Sequence, residues 1–198
     1  MLSPLLQFTE KGIYCKRANV YIDPWKPVDY AIITHAHADH SRWGNKFYLS
    51  HHLSKPIIQH RLGQDISIES MEYGETRTIN GVKFSFHPAG HIIGSAQVRV
   101  EYKGEVWVVS GDYKLENDGI SAPFESIKCH HFITESTFGL PVFDWPSQEQ
   151  VVSEMKQWCH RLHEEKKAAI IYAYSLGKAQ RILHALKDVE NPIYCHAA

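Results

Sequence analysis

The chain has 198 residues, 43% of them hydrophobic and 12% aromatic, enough for one sizeable core or for one domain and part of another. Its formal net charge of −1 excludes a protein that holds nucleic acid by bulk basicity, though not a hydrolase whose bound dications supply the positive charge. The four cysteines, Cys15, Cys129, Cys159 and Cys195, form no Cys-x-x-Cys pair, which argues against a zinc knuckle or a disulfide framework and suits a reducing, cytoplasmic setting.

The first residues carry no basic segment and no long apolar run, so neither a signal peptide nor a membrane span is expected. Residues 12–15 and 19–23 read as two short strands joined by a turn. Asp23 closes the second, just before Pro24. An Asp there either starts a turn or supports a metal-ligating histidine through a hydrogen bond. Residues 30–34 are a buried-strand candidate that opens into His35-Ala36-His37-Ala38-Asp39-His40. Zinc and similar ions take imidazole nitrogen and carboxylate oxygen, so this cluster after an apolar run reads as a metal-binding loop. His35 and His37 share one side of an extended backbone, while Asp39 and His40, beyond the turn, can face a second ion. Residues 41–60 are polar and aromatic. His51, His52 and His60 fall in no ligand spacing there and read as surface histidines.

Residues 77–86 predict a hairpin around Asn80-Gly81. It leads into His87-Pro88-Ala89-Gly90-His91-Ile92-Ile93-Gly94-Ser95, where two glycines flank His91 and permit a close backbone approach. A second hairpin, with strands at 97–102 and 105–109 around Lys103-Gly104, ends in Ser110-Gly111-Asp112, a carboxylate placed to bridge two ions. Residues 130–134 predict a strand that ends at Glu135. Asp23, the His35 cluster, His91, Asp112 and Glu135 thus all follow apolar strands, as a shared site at one sheet edge requires. Further on, Ser147 and Gln150 form a capping box, and Val151, Val152, Met155, Trp158, Cys159 and Leu162 give the helix a core-facing stripe. Residues 168–174 read as a buried strand. Residues 175–180 open a second helix whose start, with Ser175 and Lys178, can receive a phosphate. Residues 192–195 read as the beginning of a third element, which suggests a chain cut short relative to its relatives.

The His35–His40 cluster, Gly90-His91-Ile92-Ile93-Gly94-Ser95 and Ser110-Gly111-Asp112 together resemble the metallo-β-lactamase superfamily. Thr134-Glu135-Ser136-Thr137-Phe138-Gly139, followed by Ser175-Leu176-Gly177-Lys178-Ala179-Gln180, resembles its nucleic-acid-processing branch, called β-CASP. Leu6-Gln7-Phe8-Thr9-Glu10-Lys11-Gly12 and Tyr21-Ile22-Asp23-Pro24-Trp25 are most similar to the bacterial ligase-associated DNA exonucleases.

The resemblance implies an α/β chain: a four-layer αββα fold over residues 1–139 and the start of an inserted α/β cap over 140–198. It implies two divalent ions, zinc first, with manganese or iron accepting the same ligands. His35, His37 and His91 would hold one ion, Asp39 and His40 the other, with Asp112 bridging and Asp23 supporting from behind. Asp39 and Asp112 would orient a water whose pKa the ions lower, and Glu135, with a later histidine, would protonate the leaving oxygen. That histidine, and the branch's last metal ligand, have no counterpart in this chain, so the second ion is expected to be weakly held. The implied activity is hydrolysis of nucleic acid, DNA before RNA, by an exonuclease of repair that works beside a DNA ligase or helicase and away from membranes. Three rivals fit the same residues: an RNA-processing nuclease, a thioester or lactam hydrolase, and an inactive metal-binding scaffold.

Overall fold

Short apolar runs separated by glycine turns give eleven strands and three helices among residues 4–190 and 192–196, the residues that the computed structural model describes. The chain divides into two units, Met1–Glu135 and Ser136–Ala198. All eleven strands belong to the first.

One sheet has six strands in sequential order: β1 (Gln7–Thr9), β2 (Gly12–Cys15), β3 (Val20–Ile22), β4 (Tyr30–Ile32), β5 (Phe47–His51) and β6 (Ile68–Met71). β1 to β3 pair antiparallel, and β3 to β6 pair parallel. Parallel neighbours need a crossover, and helix α1 (Lys55–Leu62) supplies the one between β5 and β6. The second sheet runs β11-β10-β9-β8-β7, from β7 (Thr76–Ile79), β8 (Val82–Pro88), β9 (Ala96–Tyr102), β10 (Glu105–Val109) and β11 (His131–Ile133). Its two hairpins turn at Asn80 (φ 49°) and Gly81 (φ 81°), and at Lys103 (φ 51°) and Gly104 (φ 84°). Positive φ at both central residues matches the right-handed twist of the flanking strands, which is why these dipeptides mark the turns.

The core lies between the sheets. Cys15, Val20, Ile22, Ile32, Leu49 and Met71 of the first meet Val82, Phe84, Phe86, Ala96, Val98, Val100 and Val109 of the second. The period-2 spacing of Val82, Phe84 and Phe86, and of Ala96, Val98 and Val100, aims each set at the facing sheet. Burying each valine, leucine, isoleucine, methionine or phenylalanine among them contributes about 1.5–3 kcal/mol.

This topology decides where chemistry can occur. β3, β4, β5 and β6 point the same way, so their carboxyl ends share an edge. β8, β10 and β11 likewise share a direction. Asp23, the His35 loop, His91, Asp112 and Glu135 all follow those ends.

Several expectations do not hold. β5, α1 and β6 fall in or beside a stretch that suggested no element. β5 is an interior parallel strand with four of its five residues buried, so it lacks the alternation that marks a half-exposed strand. In the second unit, α2 (Gln148–Glu164) starts at Ser147, whose hydroxyl accepts from Gln150 N at 3.2 Å. The Gln150 side chain donates to Glu154 instead of returning to the cap, so only half of the capping box forms. No residue of α2 is buried, against the expected core stripe. Residues 168–174 form no strand, with Ile170 71% and Tyr172 93% exposed, and residues 192–195 form no regular element either. A strand needs a ladder partner and a covered face, and among the described residues neither exists for these segments. α3 (Lys178–Ala185) completes the unit. No described helix is long and apolar enough to cross a membrane.

Candidate metal centre

The centre is organised from Thr34, the residue just before the first histidine and two beyond the end of β4. Its N–H and its hydroxyl both donate to Asp23, at 2.8 and 2.6 Å. With that proton committed, Thr34 Oγ1 accepts from His35 Nδ1 at 3.0 Å. His35 is thereby held in the tautomer that leaves the Nε2 lone pair free. Asp23 Oδ2 also accepts from His40 Nδ1 at 2.8 Å, which turns His40 Nε2 towards the centre. Burial, reinforced by His40 and His91, holds the His35 imidazole well below its ordinary pKa, so it stays neutral, the form that binds a metal.

His35 Nε2 lies 3.0 Å from His37 Nδ1, which lies 3.2 Å from His91 Nε2. Asp112 Oδ2 completes the group, 3.4 Å from His91 Nε2 and 3.9 Å from His35 Nε2. Four donors around one tetrahedral ion at about 2.0–2.2 Å would stand about 3.3–3.6 Å apart. The observed separations bracket that range, and the donor set is one that zinc-class ions accept.

Two glycines make the approach possible. At Gly111 (φ 56°) a Cβ would meet Thr34 Oγ1 at 2.6 Å, so only glycine lets the loop carrying Asp112 reach the first sheet. At Gly90 (φ 75°) a Cβ would fall 2.2 Å from Lys114 O. His91 itself is placed by Ser95, whose hydroxyl accepts from the N–H groups of His91 and Ile92, each at 3.1 Å.

A second group shares Asp112. His40 Nε2 lies 3.4 Å from Asp112 Oδ1 and 3.6 Å from Glu135 Oε1. Asp39 Oδ2 is 3.7 Å from His40 Nε2, but its side chain is 70% exposed and it stands outside the group of converging donors. The geometry therefore gathers Glu135, expected only as an acid, beside His40 and Asp112. Asp112 Oδ1 is buried and finds no hydrogen-bond partner. A buried lone pair left without a donor suits a cation. Burial alone would lower the His40 pKa, yet the Asp112 and Asp23 carboxylates outweigh it and raise it to about 11. Burial also disfavours the Asp112 carboxylate, but His40 and Glu135 hold it well below the usual carboxylate range. Glu135 is pushed up to about 7 by burial and by Asp112. A divalent ion entering here would displace the His40 proton. Both groups thus fit divalent cations.

A cavity of about 330 Å³ opens beside His40, Asp39 and Glu135, walled by Phe8, Trp25 and Arg42. Ser175 and Lys178 lie in the second unit, at the start of α3. There Ser175 O accepts from Gln180 Nε2, and Lys178 Nζ stands 5.2 Å from the Tyr174 ring centroid.

Sequence reasoning missed Thr34 and Ser95, although both directly flank a ligand motif and carry hydroxyls. It also missed Arg61, whose Nη1 donates to Ala36 O at 2.8 Å and to Ser41 Oγ at 2.6 Å. Nothing in the spacing pointed to Arg61, because α1 was not foreseen. His51, read as a surface histidine, is fully buried, because β5 lies inside the parallel part of its sheet.

No protein-family model matches the chain. It is 28% identical over 188 residues to a protein of Opitutus terrae named "Probable DNA ligase", a match that covers 93% of this chain and 18% of the relative. It is 28% identical over 187 residues to an RNase J-like protein of Methanocaldococcus jannaschii, covering 80% of this chain and 43% of the relative. An endoribonuclease of Eremothecium gossypii, YSH1, is 30% identical over 123 residues, or 61% of this chain and 16% of the relative. The chain thus spans less than half the length of each of these relatives. Among solved structures, a protein of unknown function from Enterococcus faecalis shares the fold, with a TM-score of 0.51 at 11% identity over 66% of this chain and 38% of that one.

Proposed function

We propose that this chain belongs to the β-CASP branch of the metallo-β-lactamase superfamily and carries the metal-dependent centre of a nuclease that hydrolyses phosphodiester bonds, a reading supported by its similarity to an RNase J-like protein and an endoribonuclease. The observation that carries the reading is the convergence of His35, His37, His91 and Asp112, backed by the Asp23–Thr34–His35 hydrogen-bond chain.

His35, His37, His91 and Asp112 would hold one divalent ion, zinc first, and His40, Asp112 and Glu135 a second, with Asp39 at its exposed rim. When bound, such ions supply Lewis-acid charge to phosphoryl oxygens and lower the pKa of water. The chain's own groups do the rest. Asp112 Oδ1 offers a lone pair that can orient a water. With no ion on it, Glu135 is raised to about 7 by burial and by Asp112, so it exchanges a proton near neutral pH and suits delivery to a leaving oxygen whenever it is not holding the second ion. Asp23 holds both His35, through Thr34, and His40 in their productive tautomers. Phe8 and Trp25 offer aromatic faces on which a base can stack, and Arg42 a cation for the backbone. Ser175 and Lys178, at a helix start, are candidate phosphate contacts.

DNA is the preferred substrate in this reading, and a repair exonuclease acting beside a ligase, in a reducing cytoplasm, the preferred role. The support is the match to a protein named as a DNA ligase over 93% of this chain. RNA is the second reading, favoured by the names of the other two relatives.

Zinc- or manganese-loaded protein assayed on bis(p-nitrophenyl) phosphate, and on end-labelled DNA and RNA strands of one sequence, tests this. Phosphodiester cleavage that is lost with chelator and in Asp112→Asn is expected, with DNA degraded faster than RNA. Hydrolysis of a thioester or lactam with none of the phosphodiester would overturn it.

A further inference from the structure

We propose that His51, His52 and Glu72 form a separate divalent-cation site on the neighbouring strand ends, holding a zinc-class ion through two imidazoles and one carboxylate. No residue is shared with the centre above, and none of these three followed a recognisable ligand spacing.

His51 ends β5, and its register partner on β6 is Met71, so His52 and Glu72 emerge side by side at the same edge. His52 N donates to Met71 O at 3.1 Å and ties the two ends together. His51 Nε2 lies 3.2 Å from His52 Nδ1, which lies 2.8 Å from Glu72 Oε2, while His51 Nε2 and Glu72 Oε2 are 3.9 Å apart. These separations again bracket the roughly 3.3–3.6 Å expected of donors around one tetrahedral ion.

Leu53 N–H points at His51 Nδ1 from 3.4 Å, the longest contact in the group. With its proton on Nδ1, a neutral His51 gives up that contact and turns its Nε2 lone pair towards His52 Nδ1 at 3.2 Å. A cation can take Nε2, Nδ1 and Oε2 together in place of the single His52 proton that otherwise lies between them.

The surroundings suit an ion. Burial, then His52, pushes the His51 imidazole down to about 4, so its lone pair is available at neutral pH. The His52 and Glu72 side chains are 42% and 64% exposed, so an ion can enter from solvent and complete its shell with water. Two nitrogens and one oxygen select zinc, cobalt, nickel or copper over magnesium or calcium, which prefer all-oxygen shells. The site would also brace the catalytic edge. The Tyr73 ring stacks on His51 at 3.6 Å, its hydroxyl donates to Ser95 O at 2.8 Å, and Ser95 positions His91.

The test is equilibrium dialysis of chelator-stripped chain against buffered Zn²⁺, with elemental analysis, for the wild type and the double variant His52→Ala/Glu72→Gln. Both replaced side chains are largely exposed, and circular dichroism checks the fold. The variant should hold one ion per chain fewer than the wild type, whatever the count at the His35 centre. His37→Ala should lose its own ion and keep this one. Equal ion counts in the wild type and the double variant overturn the proposal.

Discussion

Asp23→Asn probes the hydrogen-bond chain on which the centre depends. Asp23 accepts from Thr34 N, Thr34 Oγ1 and His40 Nδ1 at 2.8, 2.6 and 2.8 Å, with side-chain exposures of 11% for Asp23 and 8% for His40. Asparagine can keep an oxygen on Thr34, but it removes the charge that faces His40 and turns an amide N–H towards a donor. A hydrogen bond to a charged group is worth about 1.5–3 kcal/mol, and breaking one partner of a buried pair costs about 3–5 kcal/mol. Asp112 remains 3.4 Å from His40 and shares the imidazolium charge, which lowers the estimate. The metal-free variant should therefore lose about 2–4 kcal/mol at pH 7, read by urea unfolding with tryptophan fluorescence in chelator. Loss of such an outer support weakens metal binding by about 10–100-fold, read by calorimetric titration with Zn²⁺. A loss below about 0.5 kcal/mol together with unchanged zinc affinity would refute the role assigned to Asp23.

Metal-free protein should be most stable near pH 7. Below pH 6.5 the unfolded chain binds protons at His35 and His51 that the fold refuses, offset by the one that folded Glu135 keeps, so stability falls with acidification by about 1.4 kcal/mol per pH unit. Above pH 7 folded His40 keeps a proton that the unfolded chain has lost, so stability falls again, by about 1.4 kcal/mol per unit at first and more steeply beyond about pH 9, where the raised Cys15 and Tyr73 also hold protons that the unfolded chain loses. Urea midpoints across pH 5–10 in chelator measure this, and a monotonic profile would contradict it. Gly90→Ala sets a Cβ 2.2 Å from Lys114 O at φ 75°, and should cost about 2–5 kcal/mol with loss of zinc binding; a folded, metal-binding variant of unchanged melting temperature would count against the close-approach argument. Arg61→Ala removes the hold on Ala36 O and Ser41 Oγ, and should cost about 1 kcal/mol and weaken zinc affinity, with partial recovery in Arg61→Lys.

How much the sequence revealed depended on whether a signal was local. Asn80-Gly81 and Lys103-Gly104 marked hairpins because only certain residues accept positive φ at both turn positions. The convergence of the candidate ligand histidines could be anticipated because three of them share one loop and His91 is framed by glycines. The partners that orient them were not. Thr34 acts through a hydroxyl that any strand-end threonine carries, and Arg61 reaches the loop from a helix 25 residues away. The β5–β6 edge was misread for a related reason. Interior parallel strands lose the alternating pattern, so His51 looked like a surface residue although it is fully buried. Residues 168–174 erred the other way, since β propensity describes a segment that fits a sheet and not one that has found a partner.

The most direct test of the metal centre is anomalous diffraction at the zinc edge from crystals of the chain saturated with Zn²⁺. A peak within about 2.0–2.2 Å of His35 Nε2, His37 Nδ1, His91 Nε2 and Asp112 Oδ2 is the predicted result. Saturated, well-ordered crystals with no peak among these four atoms would contradict it.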